Sequence, residues 1–269
     1  MSDTLTTDLG VFDSGVGGLS VLRELRALLP HEHIVYVADS ANVPYGAKPP
    51  EFIRDRSMAI ARFLVEKRHV RAVVVACNTA TTHAVDLLRR NFSSVPFVGM
   101  EPAIKPAAAA TRSGVVGVLA TDATLDGERF ASLMKRHAEG IEVLTQSCPG
   151  LVEQVEAGDL SGSRTIDLLQ RYTAPLLARG ADTIVLGCTH YPFLRDTLQG
   201  LVGPTVTLID TAGAVARQTA KVLADRPNRD ETDAAGRVVF FTSGDPSAVR
   251  PSLERLSEEP VLEVNRLEV

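Results

Sequence analysis

Two cysteines stand in closely matched surroundings in this chain. Cys77 lies in "VVVACNTATTHA" and Cys188 lies in "IVLGCTHYPF". Each follows a short run of Val, Ile or Leu and is followed at once by side chains that can form hydrogen bonds. A thiolate can take up a proton and a thiol can release one, and the start of a helix is one of the settings that lowers the pKa of a thiol. We therefore predict that the two thiols face each other across one small substrate.

The opening motif "GVFDSGVGGLS" places further polar groups at the end of a strand. Asp13 ends the strand, and Ser14 leads into a glycine-rich turn before a helix. Such a turn exposes backbone N–H groups to an anion, and a carboxylate is the small ligand that we expect there. The spacing is not G-x-G-x-x-G and a Walker lysine is missing, which argues against a nucleotide. A tight turn with glycines needed only by the backbone remains an equal alternative.

Other candidates follow later strands. The segment "DSANVPYGAKP" reads as a loop, which makes Tyr45 and Gly46 candidate ligand contacts. His190 can exchange a proton near neutral pH, although a capping role is the simpler interpretation of an isolated histidine. Cys148, in "SCPGLVEQVE", is predicted to pack in the core, and Glu153 is predicted to be solvated unless the fold turns it inward.

The elements that must position these residues alternate along the chain. Short apolar runs are each followed by a turn and an amphipathic segment, which predicts buried parallel strands joined by helices. The predicted strands are 9–12, 33–37, 72–76, 96–100, 115–120, 141–145, 183–187, 206–210 and 237–242. Predicted helices include 19–29, 50–67, 80–90 and 164–179. The expected fold class is α/β, with two similar open, mainly parallel-sheet domains.

The chain is long enough for two compact domains, and an approximate repeat supports this division. The two cysteine motifs are separated by about the length of one small α/β domain. Prolines and small residues at 99–114 mark one crossing between domains, and 210–213 marks a second. We predict a first domain of residues 1–98 plus 211–269 and a second of residues 99–210. Because ligands bind beyond the carboxyl ends of parallel strands, the cysteines are expected to meet in the cleft between them.

Composition narrows the class of protein. A net charge of −5 and a pI near 5.7 argue against a nucleic-acid-binding protein. No apolar run approaches the roughly 20 residues of a membrane span, and the polar start lacks a signal-peptide core, so a cytoplasmic protein is expected. Three cysteines without C-x-x-C indicate reduced thiols. A zinc site built from Cys77, Cys148, Cys188 and His190 would require a coincidence of fold.

Seven motifs together resemble the glutamate racemases of the cofactor-independent aspartate/glutamate racemase superfamily. They are "GVFDSGVGGLSVL", "VYVADSANVPYG", "VVACNTATT", "VGMEPAIKPA", "GVLAT", "CPGLVEQVE" and "IVLGCTHYPFL". The resemblance implies two α/β domains with the active site between them. It also implies interconversion of L- and D-glutamate without pyridoxal phosphate, metal or other cofactor, supplying D-glutamate for peptidoglycan.

The resemblance also assigns roles to residues. It implies that Cys77 and Cys188 are the acid/base thiols, that Asp13 assists Cys77, and that His190 and Glu153 assist Cys188. The residues that it implies contact the substrate are Asp13, Ser14, Tyr45, Gly46, Asn78, Thr79, Thr189 and His190. A homodimer is expected from the family. Activation by a peptidoglycan precursor and interaction with DNA gyrase are properties of some members, and the resemblance does not extend them to this chain.

Three other interpretations stay open on the sequence. An aspartate racemase would use the same groups on a substrate one methylene shorter, a difference worth only about 1–3 kcal/mol of discrimination. A non-catalytic protein that binds an acidic metabolite would have no need of the second thiol. A Cys/His metal protein would purify with stoichiometric zinc.

Overall fold

Strands and helices alternate along the chain in a computed structural model, which describes residues 9–225 and 235–269. The strands in these residues are β1 (Leu9–Asp13), β2 (Ile34–Ala38), β3 (Ala72–Val75), β4 (Phe97–Val98), β5 (Val115–Ala120), β6 (Glu142–Ser147), β7 (Thr183–Leu186), β8 (Thr207–Ile209), β9 (Val238–Thr242) and β10 (Val264–Arg266). The helices in them are α1 (Leu19–Leu28), α2 (Pro50–Arg62), α3 (Asn78–Asn91), α4 (Ile104–Ala110), α5 (Asp122–Leu125), α6 (Glu128–His137), α7 (Leu151–Glu156), α8 (Ser163–Ala178), α9 (Arg195–Val202), α10 (Ala212–Ala224) and α11 (Pro246–Leu256). The predicted α/β class is confirmed.

Two parallel sheets organise the described residues. The larger has the strand order β10-β9-β2-β1-β3-β4 and the smaller has the order β6-β5-β7-β8. Every strand pair recorded in them is parallel. Strand β10 was not predicted from sequence, because its three residues carry no apolar run; it forms by pairing with β9. We call the layers built on the larger and the smaller sheet the first and second lobes.

The strand order shows how the chain passes between the lobes. It leaves the first sheet after β4, builds β5 to β8 consecutively, and returns to the first sheet with β9 and β10. The exact domain boundaries predicted above stay a prediction, and residues 1–8 and 226–234 within them lie outside the described residues.

Burial explains why the strand sequences are continuously apolar. Strands β1, β2 and β3 of the larger sheet and β7 of the smaller sheet are buried along their whole length. Such burial is expected for parallel sheets, whose faces are both covered by helices. One apolar cluster runs from Val11 and Val16 in the first lobe to Leu151, Val155 and Tyr191 in the second. The lobes therefore pack through a shared apolar core, which limits how far the residues between them can separate.

The helices bury one face each. In α1 the buried apolar positions include Leu19, Leu22 and Leu25, the spacing expected for one stripe of an amphipathic helix. The α-helical part of the helix predicted over 50–67 ends at Arg62. A π-helical turn at Phe63–Lys67 follows it directly. Among the described residues, none of the helices combines the length and apolar character that crossing a bilayer requires.

Candidate active site

A single cavity between the lobes contains both matched cysteines. Cys77 and Cys188 are buried, and both line the same small space. The first lobe contributes Ser14, Pro44, Tyr45, Gly46, Cys77, Asn78 and Thr79, and the second contributes Thr121, Val152, Cys188, Thr189 and His190. The cavity lies beyond the carboxyl ends of β1, β3, β5 and β7, where parallel sheets bind ligands. Of the residues predicted to contact a ligand, all except Asp13 line it.

Cys77 occupies the N-cap position of α3. Its backbone is extended, and its sulfur accepts a hydrogen bond from the Ala80 N–H at 3.4 Å. The Ser14 hydroxyl oxygen lies 3.9 Å from the sulfur. Burial nevertheless raises the pKa of Cys77 well above its ordinary value, helped by the nearby charge of Asp13, and these effects outweigh the helix N-terminus. In the free protein Cys77 is therefore a neutral thiol.

Asp13 lies directly behind the cavity wall, wrapped by the glycine-rich turn. Its carboxylate accepts the N–H groups of Gly15 and Gly18, each at 3.1 Å, and the Thr189 hydroxyl at 3.3 Å. Burial raises the pKa of Asp13, although the charge of His190 and the backbone N–H groups oppose the rise. The expectation that this turn offers its N–H groups to an external anion is corrected here, since these two bind a carboxylate of the protein itself.

Cys188 faces a histidine rather than a carboxylate. The Nδ1 atom of His190 lies 3.7 Å from the Cys188 sulfur, and Nε2 lies 2.6 Å from Oε1 of Glu156. Burial disfavours the charged ring, but the hydrogen bonds with Cys188 and Glu156 and their negative charges raise the pKa of His190 well above its usual value. A protonated ring donates from both nitrogens, which points one N–H at the Cys188 sulfur and the other at Glu156.

The same carboxylate connects the lobes. Oε1 of Glu156, on α7 of the second lobe, also accepts the Val16 N–H of the first lobe at 2.8 Å. The Ser20 hydroxyl donates to the Thr189 carbonyl oxygen at 2.9 Å, a second link between the lobes. A Cβ at Gly17 would lie 2.3 Å from the His190 ring, so this close approach requires glycine. The glycine-rich turn thus serves the packing of the lobes around His190.

Comparison with known proteins identifies the family. The family model described as Asp/Glu/Hydantoin racemase matches residues 17–219. The chain belongs to this racemase family. The glutamate racemase of Herpetosiphon aurantiacus is 57% identical over 239 residues, covering 89% of this chain and 93% of that protein.

Solved structures of racemases superpose on nearly the whole chain. The Escherichia coli glutamate racemase in complex with L-glutamate and the activator UDP-MurNAc-ala is 36% identical, with a TM-score of 0.85 over 97% of this chain and 98% of that one. The Francisella tularensis glutamate racemase in complex with D-glutamate is 26% identical, with a TM-score of 0.84 over 98% of both chains.

One assignment made from sequence is corrected by the geometry of this racemase. Glu153 was predicted to assist on the Cys188 side, but the carboxylate that contacts His190 belongs to Glu156. Glu153 instead lines a neighbouring space together with Ser147 and Cys148. Both acids lie on α7, three residues apart, and the sequence "VEQVE" does not distinguish them. Only the packing of α7 against the glycine-rich turn selects Glu156.

Asn78 carries the strongest sign of a polar ligand in the racemase cavity. The residue is buried, it lines the cavity, and neither its amide nitrogen nor its amide oxygen has a hydrogen-bond partner. Buried polar groups are almost always paired, so an unpaired amide facing a cavity indicates a ligand with both donors and acceptors. The adjacent Thr79 hydroxyl already contacts those of Thr121 at 2.9 Å and Thr124 at 3.2 Å.

The third cysteine, Cys148, lies apart from the two that line the cavity. Cys148 is buried, and its thiol donates to the Gln146 carbonyl oxygen at 3.4 Å, while burial raises its pKa. It lines the neighbouring space and not the cavity that holds Cys77 and Cys188. Across residues 9–225 and 235–269, no group of three or more His, Cys, Asp or Glu side chains is placed to hold a metal ion.

Proposed function

We propose that this chain interconverts L- and D-glutamate by proton transfer between substrate and two thiols, Cys77 and Cys188, on opposite faces of the α-carbon. The observation that carries the proposal is the shared cavity: two thiols from different lobes line one small space that also holds the unpaired amide of Asn78. The identity of the substrate is inferred from the glutamate racemases to which the chain is similar.

The chemistry requires groups on both faces. Inversion needs a base that removes the α-proton from one face and an acid that delivers a proton to the other. In one direction we assign proton removal to Cys188, which lies beside His190, and proton delivery to Cys77, whose pKa is raised. Each inversion leaves the thiolate on the opposite side, which is the state that the reverse reaction needs.

The carbanion-like transition state needs fixed donors near the substrate carboxylate, because the α-hydrogen is only weakly acidic. The unpaired amide of Asn78 and the hydroxyl of Ser14 line the cavity, as do the hydroxyl-bearing residues Thr79 and Thr189, whose hydroxyls also contact Thr121 and Asp13. We assign them to the substrate carboxylates and ammonium group, with Tyr45 and Gly46 forming a further part of the wall. Asp13 assists on the Cys77 side, and His190 held by Glu156 assists on the Cys188 side.

The biological role follows from the product. D-Glutamate made in the cytoplasm would supply peptidoglycan synthesis, as the family resemblance implies.

A homodimer stays a prediction, which sedimentation analysis checks. UDP-MurNAc-ala is described as an activator of the Escherichia coli relative, and adding it to the assay measures whether this chain responds.

Chiral chromatography of L-glutamate incubated with purified, cofactor-free protein tests the proposal. D-Glutamate should accumulate towards an equal mixture, and in heavy water the product should carry deuterium at the α-carbon. L-Aspartate, tested in parallel, should turn over much more slowly. Tight binding of glutamate without isomerisation would instead identify a binding protein, and faster turnover of aspartate would identify an aspartate racemase.

A further inference from the structure

A buried acid outside the proposed chemistry lies behind one wall of the cavity. Asp39 follows β2 directly, its side chain is fully buried, and its N–H donates to the Asp13 carbonyl oxygen at 3.0 Å. Its carboxylate accepts hydrogen bonds from the Tyr45 hydroxyl at 2.6 Å and the Asn42 amide at 3.0 Å. None of the steps above uses this group, yet it contacts the loop that forms the wall.

Arg56 on α2 supplies the charge that balances this acid. Its Nη2 and Nε atoms lie 2.8 and 3.1 Å from the two oxygens of Asp39, a bidentate pair. Burial would raise the pKa of Asp39, but the hydrogen bonds, that of Arg56 first, hold it below its ordinary value. The pair is therefore ionised on both sides and neutral as a unit.

This pair fixes the wall through Tyr45. The Tyr45 hydroxyl donates to Asp39, and the buried Tyr45 residue lines the cavity, so the bond to Asp39 fixes part of the cavity wall. The next residue, Gly46, meets Thr121 of the second lobe so closely that a Cβ there would lie 2.7 Å from the Thr121 Cβ. A shift of this loop would change both the shape of the cavity and the contact between the lobes.

We propose that Asp39 and Arg56 are positioning residues that set substrate affinity, an inference that rests on the proposed glutamate racemisation. They hold the Tyr45–Gly46 wall in place, and Arg56 neutralises a buried carboxylate beside a cavity that must accept the two carboxylates of glutamate. An unbalanced charge at Asp39 would repel that substrate across a poorly hydrated wall. The role concerns binding more than proton transfer, because neither residue lines the cavity.

Steady-state kinetics of the full chain in both directions test the proposal. Arg56→Gln should raise KM for L- and D-glutamate about tenfold or more, since displacement of a positioning group weakens binding, while kcat changes by less than about threefold. Arg56→Lys keeps the charge but loses the bidentate geometry, so its KM should lie between those of the wild type and Arg56→Gln. The matched control is Arg54→Gln on the same helix, where Arg54 and Glu51 form an ion pair at 2.8 Å with 37% and 74% of their side chains exposed; its KM should not change.

A double variant separates charge balance from general loss of structure. Adding Asp39→Asn to Arg56→Gln removes the unbalanced carboxylate, so KM should fall back towards the wild-type value. A lower thermal midpoint at unchanged KM in Arg56→Gln, or a double variant whose KM is no better than that of Arg56→Gln, would overturn the proposal. Absence of glutamate turnover in the wild-type chain would instead count against the proposed function.

Discussion

The Nε2 atom of His190 lies 2.6 Å from Oε1 of Glu156, and the same oxygen accepts the Val16 N–H from the other lobe. One carboxylate therefore orients the ring beside Cys188 and also joins the two halves of the cleft. This arrangement places the His190 ring beside Cys188, whereas Cys77 lies near the carboxylate of Asp13. The two thiols are chemically unequal before substrate arrives.

Replacing Glu156 should impair catalysis where replacing Glu153 does not. We expect Glu156→Gln to lower kcat by about tenfold or more, because the carboxylate that orients the His190 ring and helps to raise its pKa is lost. Glu153→Gln is the matched control on the same helix and should keep kcat within about threefold. Initial rates of both variants in both directions check this, and a larger loss in Glu153→Gln would return the assisting role to Glu153.

The stability of the protein should depend on pH through His190. Its pKa is raised on folding, so the folded state binds this proton more tightly than the unfolded chain. The resulting stabilisation is fully present below the unfolded pKa of about 6.5 and is lost as pH rises through the folded pKa. The thermal midpoint of wild type minus that of Glu156→Gln should therefore be larger at about pH 6 than at higher pH, and it should shrink as pH rises through the folded pKa of His190. A difference that grows with pH would contradict this account.

Single replacements of the cavity thiols should abolish racemisation. Cys77→Ala and Cys188→Ala should each lower kcat/KM by about 10²–10⁴-fold in both directions, since either removes the proton donor or acceptor on one face. Cys148→Ala is the control, because this buried thiol lies outside the shared cavity. Polarimetry with each enantiomer measures the effect. Near-normal activity in either of the first two variants would refute the two-thiol scheme.

A methyl group at Gly17 should disturb the site. Its Cβ would lie 2.3 Å from Nδ1 of the buried His190 ring. Gly17→Ala should therefore destabilise the fold by about 1–3 kcal/mol and reduce kcat. Gly200→Ala, in α9 with open space around the new Cβ, should instead stabilise the protein by about 0.5–1 kcal/mol. Urea denaturation of both variants provides the comparison.

Replacing Asn78 by an apolar residue should stabilise the fold and weaken substrate binding. Asn78→Leu replaces an unpaired buried amide by an apolar group of similar size, so unfolding should cost about 1 kcal/mol more. The same change removes the proposed substrate contacts, and KM should rise about tenfold or more. Calorimetry and kinetics on one preparation test both effects. A variant that is less stable but retains its KM would show that the amide does not bind substrate.

Much of the local structure was predictable because buried parallel strands have continuous apolar sequences. The predicted strands over 115–120 and 183–187 correspond closely to β5 and β7. The twin cysteine motifs were also visible, since each follows such a strand. Strand β10 could not be predicted, because its pairing with β9 depends on a distant part of the chain.

The sequence by itself determined the fold class and the residue types that carry the proposed chemistry, because periodicity and local motifs are properties of neighbouring residues. Tertiary structure alone decided that Glu156 and not Glu153 contacts His190, and that the N–H groups of Gly15 and Gly18 bind Asp13. It also decided that burial raises the pKa of Cys77 despite its place at a helix start. These outcomes depend on which parts of the two lobes pack together and on how much water this packing excludes. Neither can be read from the spacing of residues along the sequence.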